Sequence, residues 1–191
     1  MKRLLVFGWM VLLSGMLSAQ SEHLTFKGIP IDGNARDFSK NMQSKGFELL
    51  KTLEGKLLMR GSFCCHPNCY VLVSTMEKED VVSAVNVMFE RELAWYPLSN
   101  RYDTLKNMLT EKYGDPVDVK EVFVNVYSEE DFLKMIRLQS HDCEWRSVFE
   151  TGLGQIVLSI EYRQEYGSFV MLEYRDRING MKIRAAAIDD L

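Results

Sequence analysis

Hydrophobic and polar positions alternate along several short stretches of the chain, and this period of two predicts strands. Lys56 to Phe63 places Leu57, Met59, Gly61 and Phe63 on one face. Cys69 to Thr75 turns Cys69, Val71 and Val73 inward, and Val81 to Phe89 does the same with Val81, Val85, Val87 and Phe89. Phe47 to Leu53 reads as a further strand ending at the turn Glu54-Gly55, and Met76 to Asp80 reads as a polar turn. Ahead of these, Leu24, Phe26 and Ile29 predict a short strand, with Pro30 marking an edge because it lacks a ladder donor. A helical period interrupts the alternation over roughly 35–45. There Phe38, Met42 and Lys45 share a stripe, Asp32-Gly33-Asn34 offers the cap, and Gly46 suits the C-terminal stop.

The pattern then restarts. Ser99 or Asn100 can cap a helix whose buried stripe is Tyr102, Leu105, Met108 and Leu109, with Gly114 and Pro116 ending it. Val117 to Val126 is strand-like. Ser128-Glu129-Glu130-Asp131 opens a short helix with Phe132, Met135 and Ile136 on its apolar side, since a hydroxyl followed by acids suits the positive end of the helix dipole. Strands over Cys143–Phe149, Gln155–Arg163 and Phe169–Tyr174 follow, with turns at Gly152 to Gly154 and Glu165 to Gly167. Arg177 to Asp190 closes the chain as a helix with Ile183, Ala187 and Leu191 on one side. Grouped strands with short connections predict an α+β fold, an antiparallel sheet with helices packed on it. Two related helix-then-strands halves, about 24–96 and 97–191, share one domain over 20–191. Lys40-Asn41-Met42 and Lys106-Asn107-Met108 sit at similar depth in the two helices and hint at an internal duplication.

The stretch Phe26-Lys27-Gly28-Ile29-Pro30-Ile31-Asp32-Gly33, followed by a helix ending Lys45-Gly46-Phe47, resembles a group of small secreted proteins of Bacteroidetes. Trp95, Leu98, Tyr102, Leu105-Lys106 and Leu109-Thr110-Glu111-Lys112-Tyr113-Gly114-Asp115-Pro116 extend that resemblance, as does the tail Glu173-Tyr174-Arg175-Asp176 with Asn179 and Asp189-Asp190-Leu191. It covers nearly the whole chain beyond the leader and implies an exported protein, with no activity attached. The doubled helix-then-strands build is also similar, in architecture alone, to β-lactamase-inhibitor-like proteins, and architecture does not fix function.

Export is also written at the start of the chain. Lys2 and Arg3 precede the apolar run Leu4 to Leu13, and small or apolar residues lead to a predicted cut between Ala19 and Gln20, the three parts of a secretory signal over residues 1–19. The uncharged stretch Leu4 to Gln20 is shorter than the roughly 20 residues a membrane span needs. No Cys lies at the cut to accept a lipid. Removing the leader takes away Lys2 and Arg3, leaving 21 basic against 27 acidic residues, a charge of −6 instead of −4. That acidity argues against nucleic acid and anionic membrane surfaces as partners. At 47% hydrophobic and 26% charged, the chain is too apolar to be disordered.

Four cysteines carry the main candidate chemistry. Cys64-Cys65-His66-Pro67-Asn68-Cys69 lies between two predicted strands, and His141-Asp142-Cys143 opens another. In an exported chain the expectation is at least one disulfide. Cys64 can face Cys69 if Cys65–Asn68 is a four-residue loop, with Cys65 reaching Cys143, and a Cys69–Cys143 pair is equally open. The alternatives are a metal site on Cys65, His66, Cys69, His141 and Cys143, whose His-x-Cys spacing is unusual for zinc, and a thiol nucleophile with a histidine base. Gly152-Leu153-Gly154 lacks the third glycine and following helix of a dinucleotide loop, and no phosphate-loop, zinc-protease or nucleophile-elbow motif occurs. No cofactor is expected. Trp95-Tyr96-Pro97 reads as a packed connection between the halves, or as an exposed anchor for a partner. Tyr162, Tyr166 and Tyr174 near strand ends pose the same choice. These observations point to a secreted or periplasmic, non-enzymatic binding domain whose partner is a protein or envelope component. A small exported hydrolase or thiol protein and a structural envelope accessory protein are the alternatives.

Overall fold

A computed structural model describes residues 22–76, 79–124 and 130–191. The leader over 1–19 and the cap residues Ser128 and Glu129 lie outside the described residues.

The first half opens with a two-stranded ribbon, β1 (Thr25–Phe26) and β2 (Ile29–Pro30). Helix α1 (Ala35–Ser44) follows, capped as the sequence predicts: Asn34 Oδ1 accepts the Asp37 backbone N–H at 2.9 Å, and Phe38 and Met42 are buried. A meander of β3 (Glu48–Leu53), β4 (Lys56–Phe63), β5 (His66–Thr75) and β6 (Val82–Met88) completes the half. The second half runs α2 (Trp95–Tyr113), β7 (Asp118–Phe123), α3 (Asp131–Gln139), β8 (Cys143–Thr151), β9 (Gly154–Arg163) and β10 (Gly167–Asp176). Helix α4 (Arg177–Asp189) ends it.

All eight long strands join one antiparallel sheet in the order β3-β4-β5-β6-β10-β9-β8-β7. The order reads alike from either edge. The last strand of each half meets its counterpart at the centre, where Val87 pairs with Leu172 and Val85 with Tyr174. The two halves therefore share one sheet and one core. Leu57, Met59, Val71, Val73, Val85, Val87, Ile156, Leu158, Ile160 and Leu172 form the sheet side of that core, and Phe38, Met42, Leu98, Tyr102, Leu105, Met135 and Leu138 form the helix side. Burial of such side chains contributes about 1.5–3 kcal/mol each. Phe26 stacks on Phe63 at 5.1 Å and meets Tyr174 edge-on at 5.4 Å, which seats the β1–β2 ribbon over the first half. Under the second half, Trp95, Phe123 and Trp145 pack with centroids 4.7–5.2 Å apart, and the Tyr102 and Ser147 hydroxyls share a buried 2.7 Å hydrogen bond.

Several local expectations are corrected. Helix α2 starts at Trp95, a turn before Ser99. Pro97 is tolerated in the first turn, where backbone N–H groups have no intrahelical partner. The Tyr96 N–H is instead capped from α3, by Asp131 Oδ2 at 3.1 Å, and the Ser99 hydroxyl bonds back to the Tyr96 carbonyl. Met108 is half exposed, outside the buried stripe, so its match with fully buried Met42 does not mark equivalent packing positions. Phe132 is 71% exposed, and Met135 with Leu138 is what buries α3. In α4 the expected stripe Ile183, Ala187, Leu191 is exposed, because the helix docks through its first turn, with Asn179 fully buried.

Candidate functional site

The predicted cysteine and histidine cluster does not assemble. Phe63 pairs with His66 and Gly61 with Cys69, so Cys64 and Cys65 are the whole of a two-residue hairpin turn. Both take positive φ, 46° and 63°, the conformation whose twist matches a hairpin but which side chains rarely adopt. The four-residue loop that would have set Cys64 against Cys69 is therefore absent. Cys69 instead points into the core, its thiol 3.5 Å from the His66 carbonyl. Cys143 starts β8, four strands from β5 across the sheet, about 19 Å at the usual strand spacing. A disulfide needs Cα atoms within about 7 Å, so no bridge joins the halves, and all four thiols are free. His141 sits in the turn after α3 with its ring 6.3 Å from Tyr162, away from Cys65, His66 and Cys69. Among the described residues no three of His, Cys, Asp and Glu converge to hold a metal. Burial pushes the Cys69 thiol up to about 11 and the Cys143 thiol up to about 12, and partial desolvation by its neighbours raises Cys64 even though it is exposed in the turn, which disfavours the thiolate a nucleophile needs. Burial also lowers the His66 pKa, with Arg101 adding to the effect.

The aromatic candidates divide. Trp95 is core and Tyr96 is 71% exposed. Tyr174 is buried in the core, which raises its pKa, and Tyr166 donates to the Phe89 carbonyl at 3.1 Å. Gly152-Leu153-Gly154 is the β8–β9 turn. A Cβ at Gly154 would lie 2.1 Å from the Arg175 carbonyl oxygen, so close strand approach explains that glycine.

What the fold does present is the other face of the sheet. Helices α1, α2 and α3 bury their apolar sides in the core on one face. Helix α4 flanks the sheet end, where Gly180, Met181 and Arg184 border Gln155 and Arg175. Cross-strand pairing defines rows on the uncovered face. One runs Glu48, Arg60, Tyr70, Met88, Met171, Ser159, Arg146, Lys120 from edge to edge. The next runs Leu58, Leu72, Asn86, Glu173, Val157, Val148, Asp118. Leu58, Leu72, Met88, Met171 and Val157 are half-buried there, an apolar centre with charged flanks.

Within this face the strands β8, β9 and β10 floor a depression of about 450 Å³. Four carboxylates, Asp118, Glu150, Glu161 and Glu173, line it against two guanidinium groups, Arg146 and Arg175. Arg146 bonds Asp118 at 2.6 Å and Glu144 at 2.9 Å, Arg175 bonds Glu173 at 2.6 Å, and Lys120 reaches Glu144 at 3.2 Å. Hydrogen bonds from Arg146 and Lys120 hold the Glu144 carboxyl below its usual range. Ser159 lies in the middle, 5% exposed, its hydroxyl buried with no hydrogen-bond partner among the described residues. Sequence reasoning missed this site. Glu161, Glu173 and Arg175 come together only because β9 and β10 lie side by side, and long-range pairing, not local sequence, sets that neighbourhood.

Among the described residues no helix is long and apolar enough to cross a membrane. Comparison of the chain with protein-family models, with curated proteins and with solved structures found no match.

Proposed function

We propose that this is an exported binding domain that presents the uncovered face of its eight-stranded sheet to a protein or envelope component, without catalysing a reaction. The observation that carries the reading is the asymmetry of the sheet. One face is sealed by α1, α2 and α3, and the other leaves Leu58, Leu72, Met88, Val157 and Met171 half-buried around a polar depression. A broad apolar patch rimmed by charge is costly to leave in water and is characteristic of interaction surfaces. The leader over 1–19 and the resemblance to small secreted proteins support export. The palindromic strand order supports an origin by doubling of a helix-plus-four-strand unit.

Photo-crosslinking from single positions in the exporting cell tests this reading. Crosslinkers at Asn86 and Gln155 on the open face are expected to give discrete adducts, while positions on the helix side, Lys40 and Met108, give none. Adducts from Lys40 and Met108 alone would move the binding surface to the helices.

A further inference from the structure

We propose that the floor of this depression is an acceptor for one cationic side chain, a lysine or arginine of a protein partner; the inference rests on the open face being the binding surface. Two observations converge on it. Ser159 pairs across the strands with Arg146 and Met171, so its hydroxyl belongs to the open face, yet it is buried and has no hydrogen-bond partner among the described residues. Glu161 stands two residues along the same strand and therefore on the same face, half-buried and without an ion-pair partner among the described residues. The positive groups that line the depression are already engaged, Arg146 by Asp118 and Glu144 and Arg175 by Glu173, and Arg163 at its edge lies over the Phe169 ring with its guanidinium 4.0 Å from Met171 Sδ.

The site therefore carries an excess of negative charge beside an unused hydroxyl. An anion would be repelled, and a neutral side chain would leave Glu161 buried uncompensated beneath the partner. A guanidinium or ammonium group donates to both acceptors at once, and its methylene stem finds Val148, Val157 and Met171 to lie against. The volume of about 450 Å³ admits such a side chain. The acidic balance of the whole chain, −4, steers basic partners toward it.

The test uses N-acetyl-arginine amide as the probe, followed by amide chemical shifts of the folded chain, with N-acetyl-citrulline amide as its neutral twin. The arginine probe is expected to give saturable shifts centred on residues 143–151 and 154–163, and the citrulline probe none. Glu161→Gln is expected to weaken the arginine probe at least about tenfold, since one charge of a buried pair is lost. Ser159→Ala should produce a smaller loss, and Glu54→Gln, in the distant β3–β4 turn, no change. The shift spectrum of each variant reports its folding directly. No saturable response, an equal response to citrulline, or full binding by Glu161→Gln would overturn the acceptor. Crosslinks from Gln155 that persist undiminished in Glu161→Gln would also overturn it, while leaving the open face as the binding surface.

Discussion

His23 Nδ1 lies 3.0 Å from Oδ1 of Asp176, 153 residues further along the chain. The same carboxylate, 1% exposed, accepts the Leu24 backbone N–H at 2.8 Å and the Asn179 N–H at 2.8 Å, the latter as the cap of α4. Asn179 extends the clasp by donating to the Ile31 and Val82 carbonyls and to Asp32. Two buried side chains, Asp176 and Asn179, thus tie His23 and Leu24 to the last helix and to the start of β6.

Asp176→Ala removes the acceptor for two backbone N–H groups and leaves them buried. The expected cost is about 3 kcal/mol. Urea unfolding measures it, and a loss below about 0.5 kcal/mol would show that the clasp carries no load.

The free, buried thiols make stability fall at alkaline pH. Cys69 titrates near 11 in the fold against 9.0 for an open thiol, so between those values the unfolded chain has lost the proton and the native one has kept it. The unfolded state then binds fewer protons, so stability is full below pH 9 and declines as pH rises toward 11, by roughly 3 kcal/mol for this group. Cys143, held near 12 by burial, acts in the same direction. Urea midpoints at pH 8 and pH 10.5 report the drop, and Cys69→Val is expected to shrink it. An unchanged drop in that variant would place its origin elsewhere.

Alkylation separates the cysteines by environment. Cys64 and Cys65, exposed in the hairpin turn, are expected to react first in the native protein, half-buried Cys143 more slowly and buried Cys69 only after unfolding, all four without reductant. Finding Cys69 or Cys143 blocked until reductant is added would contradict the free-thiol structure.

The two glycines of Gly152-Leu153-Gly154 differ sharply in the space around them. Gly154→Ala pushes a methyl group against the Arg175 carbonyl in a left-handed backbone, and a loss of at least about 2 kcal/mol is expected. Gly152→Ala meets nothing within 4 Å and is expected to stay within about 1 kcal/mol. Thermal unfolding of both variants checks the contrast, and equal effects would contradict the strand approach at Gly154.

The strands of the first half were legible because their core face alternates cleanly: Leu57, Met59 and Phe63 on β4 and Cys69, Val71 and Val73 on β5 are all buried. Helix α1 was legible because its cap and stop are local, and Phe38 and Met42 of the expected stripe are buried, while Lys45 is exposed at the C-cap. Signals that act at a distance were not. Pro97 and Ser99 resemble a boundary and a cap, yet α2 begins earlier because Asp131 of α3 supplies the cap. The Cys64-Cys65 turn lacks the Asn-Gly signature of its turn type, so its sequence predicts a longer loop with closer thiols than the two-residue turn has. The open face was invisible for a related reason. Leu58, Leu72, Met88 and Val157 are half-buried, and alternation singles out only the fully buried side.

Hydroxyl-radical footprinting, comparing the purified chain with the same chain in the exporting cell, tests the binding face most directly. Tyr70, Met88 and Met171 lie on the open face and Met108 on the helix side, and all are oxidisable. Protection of Tyr70, Met88 and Met171 in the cell with Met108 unchanged is the predicted result. Equal oxidation of the three in both settings, or protection of Met108 instead, would contradict the account.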